Sequence, residues 1–225
     1  MHYELWIDLK FNFKIQQYQT DAVDAVINVF NGQGFHDKTN YIRDLGNKNQ
    51  TDAQMTINTP DEEFDVINDI GYKNELVELS DEQLLQNIHT LQNQNNIKLS
   101  PSLVKDLGRC SLDIEMETGT GKTYVYIKTM FELNKKYGWS KFIVVVPSIA
   151  IREGVKKSFE VTTDHFMEHY GKKARFFIYN SSNLNQLDNF SSNSGINVMI
   201  INTQAFATSL KEGGRSKESR IIYSK

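Results

Sequence analysis

The sequence predicts an α/β protein built on a doubly wound, mostly parallel sheet with flanking helices, and three observations carry that expectation. Beyond Gly108, short apolar runs of strand character alternate with segments whose apolar residues recur every three or four positions. Phe142-Ile143-Val144-Val145-Val146 is a continuous, largely β-branched run closed by Pro147, the pattern of a parallel strand buried on both faces. A glycine-rich turn, Gly119-Thr120-Gly121-Lys122-Thr123, separates the first such run from the helix that follows.

At the N-terminus, Leu5, Ile7, Leu9, Phe11, Phe13 and Ile15 alternate with Asp8, Lys10, Asn12 and Lys14, which predicts a half-buried strand or hairpin arm. At Tyr18 the period lengthens. Tyr18, Ala22, Ala25, Val26 and Val29 line one face of an amphipathic helix that stops by Gly32. Residues 32–108 form a polar insert, rich in Asn, Gln and Asp, expected to be helical or irregular. Within it, Ser80 caps a helix carrying Leu84, Leu85, Ile88 and Leu91, which frays into the solvated run Gln92-Asn93-Gln94-Asn95-Asn96.

The remaining stretch, 109–225, reads as one domain. Leu112, Ile114 and Met116 alternate in a short strand. Tyr124, Ile127, Met130 and Phe131 face one side of a helix that ends near Gly138. After the Phe142–Val146 strand come a helix from about 149 to 159, a strand from Ala174 to Tyr179, and another over Val198-Met199-Ile200-Ile201. Strands alternating with helices predict right-handed parallel crossovers.

Composition narrows the function classes. With 25 basic against 28 acidic residues the net charge is −3, so any contact with nucleic acid must be local. The one cysteine, Cys110, cannot form an internal disulfide and fits a reduced intracellular protein. Met1-His2-Tyr3-Glu4-Leu5-Trp6 lacks a basic segment followed by an apolar stretch, and no run reaches the ~18 apolar residues of a membrane span. The expectation is a soluble, cytoplasmic protein.

The turn at 118–123 has the chemistry of a P-loop. Gly119 and Gly121 let the backbone bend sharply and bring its N–H groups close to phosphate oxygens. Lys122 is placed to reach the β- and γ-phosphates of ATP, and the Thr123 hydroxyl to ligate Mg²⁺, with Thr118 and Thr120 completing the cradle. The general pattern puts Gly where Met116 stands.

Met116-Glu117-Thr118-Gly119-Thr120-Gly121-Lys122-Thr123 resembles motif I of superfamily 2 helicases. Leu112 to Tyr126, then Tyr137-Gly138-Trp139-Ser140-Lys141 into the Phe142–Pro147 run and Ile151-Arg152-Glu153-Gly154-Val155, look like the Res subunit of type III restriction enzymes, where Met at position 116 is familiar. The resemblance implies a RecA-like first motor domain, incomplete at its C-terminus. It implies that Gln19, in Tyr18-Gln19-Thr20, matches the glutamine that reads the adenine edge, since an amide donates and accepts at once. Pro147, Ser148 and Arg152 resemble motif Ia, and Thr203 and Gln204 lie in a stretch like motif Ib; both imply contacts to the phosphates of one DNA strand. For a full-length protein the resemblance implies an ATP-dependent, site-specific endonuclease of a restriction system, with double-stranded DNA and a methyltransferase subunit as partners.

A motor also needs an Asp-Glu pair at a strand end, and none follows an apolar run here; Asn202 ends the last clear strand, and Asp113 and Glu115 precede the turn. The chain therefore reads as a fragment that binds nucleotide and hydrolyses or cleaves little or nothing. His165-Phe166-Met167-Glu168-His169 fits a zinc signature, H-x-x-E-H, but is expected to be a coincidence of surface histidines. Two other classes stay open. One is a P-loop phosphotransferase acting on a small molecule. The other is a non-catalytic module whose insert, 32–108, contacts DNA or the methyltransferase subunit.

Overall fold

Helix α1 (Gln17–Val29) forms where the apolar period lengthens, and its buried Val23 and Ile27 pack against the helix that follows the glycine-rich turn, α3 (Lys122–Tyr137). The computed structural model describes residues 13–43, 70–106, 108–180 and 185–203. The N-terminal alternation over Leu5 to Phe11 lies outside them. Between α1 and α3, Val125, Tyr137 and Trp139 complete a cluster in which the Tyr137 hydroxyl donates to the Ile27 carbonyl at 2.9 Å. Burial there pushes the Tyr137 phenol up to about 12.

Three parallel strands make the main sheet: β3 (Lys141–Val146), β4 (Arg175–Ile178) and β5 (Asn197–Asn202), in the order β3-β5-β4. Helix α4 (Ile149–Tyr170) connects β3 to β4, and the short helix α5 (Asn185–Ser192) lies between β4 and β5. Successive β5 residues point to opposite faces. Val198 and Ile200 enter a core with Ile127, Met130 and Phe131 of α3 and Val155, Phe159 and Phe166 of α4. Met199 and Ile201 pack on the other side with Tyr179 and Leu187. Helices thus cover both faces, as the alternating pattern predicts.

Which strand is buried on both faces differs from the expectation. The Phe142–Val146 run is the outer strand of the three, and Ile143 and Val145 are 47% and 43% exposed. Strand β5 is the doubly covered one, with Asn197 to Ile201 all buried. A β-branched run reports preference for extended backbone; centrality depends on which strands flank it.

The expected strand over Leu112 to Met116 pairs with no strand among the described residues. Alternation partitions side chains, with Met116 packed against the α1–α3 cluster and Ile114 46% exposed, but a strand also needs a ladder partner. Helix α4 runs on to Tyr170, past the expected stop near 159, because no breaker intervenes before Gly171, and so it carries both His165 and His169.

The insert is not only helical and irregular. Its described parts include β1 (Asn40–Ile42) and β2 (Ile70–Tyr72), an antiparallel pair with Asn40 opposite Tyr72 and Ile42 opposite Ile70. Asn74 fastens this ribbon to the sheet. Its Oδ1 accepts from the backbone N–H groups of Ser140 and Lys141, each at 2.8 Å, and its Nδ2 donates to the Lys141 carbonyl at 2.7 Å. Helix α2 (Asp81–Gln94) starts at a capping box between Ser80 and Gln83, as the Ser80 signal predicts, and buries Leu84 against Val29 and Leu79.

Candidate functional site

Helix α3 begins at Lys122, immediately after Gly121, which serves as N-cap in the left-handed region at φ 86°. The first turn of a helix leaves its N–H groups without intrahelical partners. In α2 and α4 a serine side chain supplies an acceptor, from Ser80 and Ser148; at Gly121, as at Gln16 ahead of α1, no side chain does. The donors of Lys122 and Thr123 are therefore available to an external anion, which the helix dipole also favours. Gly119 sits at φ 81° with open space where a side chain would stand.

Inside the turn, one carbonyl gathers the donors. The Glu117 oxygen accepts from Lys122 Nζ at 2.8 Å and from Thr120 Oγ1 at 2.6 Å. The Lys122 ammonium is thus folded over the loop, exposed, at the place from which it can turn to a phosphate. Gln19 and Tyr18 hold the turn from outside: Gln19 Nε2 donates to the Thr120 carbonyl at 2.9 Å and the Tyr18 hydroxyl to the same oxygen at 3.2 Å. A Cβ on Gly121 would meet Gln19 Nε2 at 2.7 Å and so displace that amide, in addition to the strain a side chain meets at φ 86°. A groove of about 820 Å³ runs along α1 from Tyr18 to Val29, between it, Leu91 of α2 and the 111–117 segment, and reaches the turn at Thr120.

This donor set fits a polyphosphate. It combines uncapped N–H groups, an ammonium, two left-handed glycines and adjoining room. Thr123, second residue of α3, offers one hydroxyl, which suits a Mg²⁺ ion that takes its other ligands from phosphate and water. Thr118 is exposed on the loop.

The second set of expected residues lies at the sheet. Val146 of β3 is in register with Asn202 of β5, so Pro147 and Thr203 leave the sheet side by side at its C-terminal edge. Ser148 caps α4, accepting from Ile151 N at 3.3 Å, and Arg152 in the next turn pairs with Glu153 at 3.1 Å. Gln204 lies outside the described residues. No hydrogen bond joins this set to the turn at 118–123 among the described residues.

The histidines of the zinc-like pattern have protein partners. His165 Nε2 shares a hydrogen bond with the Tyr124 hydroxyl at 2.9 Å, and His169 Nδ1 one with the His165 carbonyl at 2.8 Å. Among the described residues no three His, Cys, Asp or Glu side chains gather as a metal site. No described helix is long and apolar enough to cross a membrane. Burial raises the Cys110 thiol above its usual range.

By period Tyr18 fits the apolar face of α1, and in the sequence only its adjacency to Gln19 hints at the polar contact it makes with Thr120. Asn74 carries no signal at all.

Comparison with known proteins gives the chain a family. The family described as "Type III restriction enzyme, res subunit" matches residues 12–223. The chain is 30% identical over 166 residues to the Type III restriction-modification enzyme EcoPI Res subunit of Escherichia phage P1, covering 73% of this chain and 14% of that protein. It is 38% identical over 110 residues to the EcoP15I Res subunit of Escherichia coli, covering 47% and 11%. It is 47% identical over 64 residues to the StyLTI Res subunit of Salmonella typhimurium, covering 28% and 6%. The chain therefore spans less than a sixth of the length of these curated relatives.

Proposed function

We propose that this chain, which belongs to the family of type III restriction enzyme Res subunits, is the ATP-binding part of a DNA-dependent ATPase and translocase motor. Its fold is the RecA-like α/β fold of helicase-like motors. The single observation that carries the nucleotide reading is the uncapped start of α3 at Gly121, with Lys122 and two left-handed glycines around it.

The residues divide the work. The backbone of Gly119, Thr120 and Gly121, with Thr118, cradles phosphates; Lys122 neutralises the outer ones; Thr123 ligates Mg²⁺. Gln19, held against the turn by its bond to the Thr120 carbonyl, reads the adenine edge. Bound ATP with Mg²⁺ supplies the phosphoryl group whose hydrolysis drives a motor of this kind. Pro147, Ser148, Arg152, Thr203 and Gln204 track the phosphates of DNA. The match to the Res-subunit family over residues 12–223 favours this over a small-molecule phosphotransferase.

In a longer protein like its relatives, the chain would serve an ATP-dependent, site-specific endonuclease of a cytoplasmic restriction system, working with a methyltransferase subunit on double-stranded DNA. Hydrolysis by these residues alone should be weak, since no Asp-Glu pair follows an apolar run in the sequence. Titration calorimetry with ATP and GTP, each with Mg²⁺, tests the reading. ATP is expected to bind and to bind more tightly than GTP; a chain that takes up neither is not a nucleotide-binding module.

A further inference from the structure

Tyr124 follows Thr123 in the first turn of α3, and its hydroxyl lies 2.9 Å from His165 Nε2 on α4. Phe13, just ahead of α1, stacks on the Tyr124 ring at 6.0 Å and tilts over the His165 ring at 5.0 Å. Three segments meet in this half-buried junction: the lead into the Gln19 helix, the helix of the glycine-rich turn, and the helix that Ser148 opens.

Apolar packing alone does not account for a phenol and an imidazole here. The neighbouring contact between the same two helices is the Phe131–Phe166 stack, at 4.8 Å, which needs no polar group. Burial disfavours the charged form of both residues, raising the Tyr124 phenol and, with His169, lowering His165. A neutral pair sharing one hydrogen bond fixes the register of the helices where apolar contact alone allows sliding. Beyond the Phe131–Phe166 stack, the Tyr170 hydroxyl donates to Glu132 at 2.7 Å, a second tie. Helix α4 is thereby fastened to α3 at two points while its Ser148 end projects toward the sheet edge.

We infer that Tyr124 and His165 are positioning residues that couple occupancy of the Gly119–Thr123 turn to the Ser148–Arg152 end of α4. A turn that tightens on an anion draws the first turn of α3 with it. Tyr124 is one residue from Thr123, so the displacement reaches His165, and α4, held at both ties, moves as a unit. By linkage the effect is reciprocal: DNA held at Ser148 and Arg152 changes the affinity of the turn for nucleotide by the same factor. This rests on the nucleotide and DNA reading above.

The test measures Mg²⁺-ADP affinity by calorimetry, with and without a saturating duplex oligonucleotide, for the parent chain, Tyr124→Phe, His165→Phe and the double variant. The parent ratio is expected to be about fivefold or more. Each single variant should bind Mg²⁺-ADP alone within about twofold of the parent, yet bring the ratio close to one, and the double variant should go no further. Variants that melt lower but keep the parent ratio would show a merely structural pair and overturn the inference. So would a parent that binds ADP and duplex independently. A parent that binds no ADP refutes the nucleotide reading itself and is told apart from both.

Discussion

The side-chain amide of Gln19 donates to the carbonyl of Thr120 at 2.9 Å, across 101 positions of sequence. An amide nitrogen carries two hydrogens, so with one engaged by the turn, the other and Oε1 remain for a base edge. Under the proposed reading the same side chain reports on the base while holding the turn. Replacing Gln19 with Ala is expected to reduce the preference for ATP over GTP to near unity in calorimetry. A preference left at the parent value removes Gln19 from base reading.

Lys122 is exposed and reaches only the Glu117 carbonyl among the described residues, so its loss should leave the fold intact. Lys122→Ala is expected to weaken Mg²⁺-ATP binding by about 1.5–3 kcal/mol, the range of a charge-assisted contact, with an unchanged melting temperature. Equal affinity in variant and parent contradicts the phosphate assignment.

Gly119 and Gly121 separate two effects. Both lie in the left-handed region, where a side chain costs about 1–2 kcal/mol, but only at Gly121 would a Cβ also strike Gln19. Gly121→Ala should therefore lower both melting temperature and ATP affinity more than Gly119→Ala. The reverse order would mean that the Gln19 contact does not constrain the turn.

Asn74 makes three hydrogen bonds to Ser140 and Lys141. Asn74→Ala is expected to destabilise the chain by about 2–3 kcal/mol in urea unfolding, since it strands two backbone donors and a carbonyl. Asn74→Asp keeps the acceptor and should fall between the two. An alanine variant as stable as the parent would show that water takes over the latch.

Burial, with Arg175 adding to it, lowers the Lys141 ammonium from 10.5 to about 8. Above the folded value the native state releases a proton that the unfolded chain still holds, so stability rises with pH from about 8 toward 10. The melting temperature of the parent relative to Lys141→Met should climb between about pH 8 and 9.5. A flat difference over that window shows that Lys141 stays charged in the fold.

Much of this was legible beforehand where the signal is local. The start of α3 at Lys122, the Ser80 cap of α2 and the α1 period through Val29 each depend on residues within a few positions of one another. Less legible was the length of α4, where the absence of a breaker before Gly171 counted for more than the fading apolar period. The short helix at Asn185–Ser192, polar along most of its length, gave no signal; it owes its place to Leu187 against the sheet.

The sequence by itself determined the family, because the motifs at 112–126 and 137–155 act through spacing along the chain, and that spacing is also what the proposed phosphate-binding turn at Gly119–Thr123 rests on. Only the tertiary structure decided that β5 and not β3 is the covered strand, that the Leu112–Met116 segment has no ladder partner among the described residues, and that Gln19, Asn74 and His165 meet partners 101, 66 and 41 positions away. Such pairings follow from how layers pack and which donors are left unpaired once they do, and no residue carries that information in its own neighbourhood.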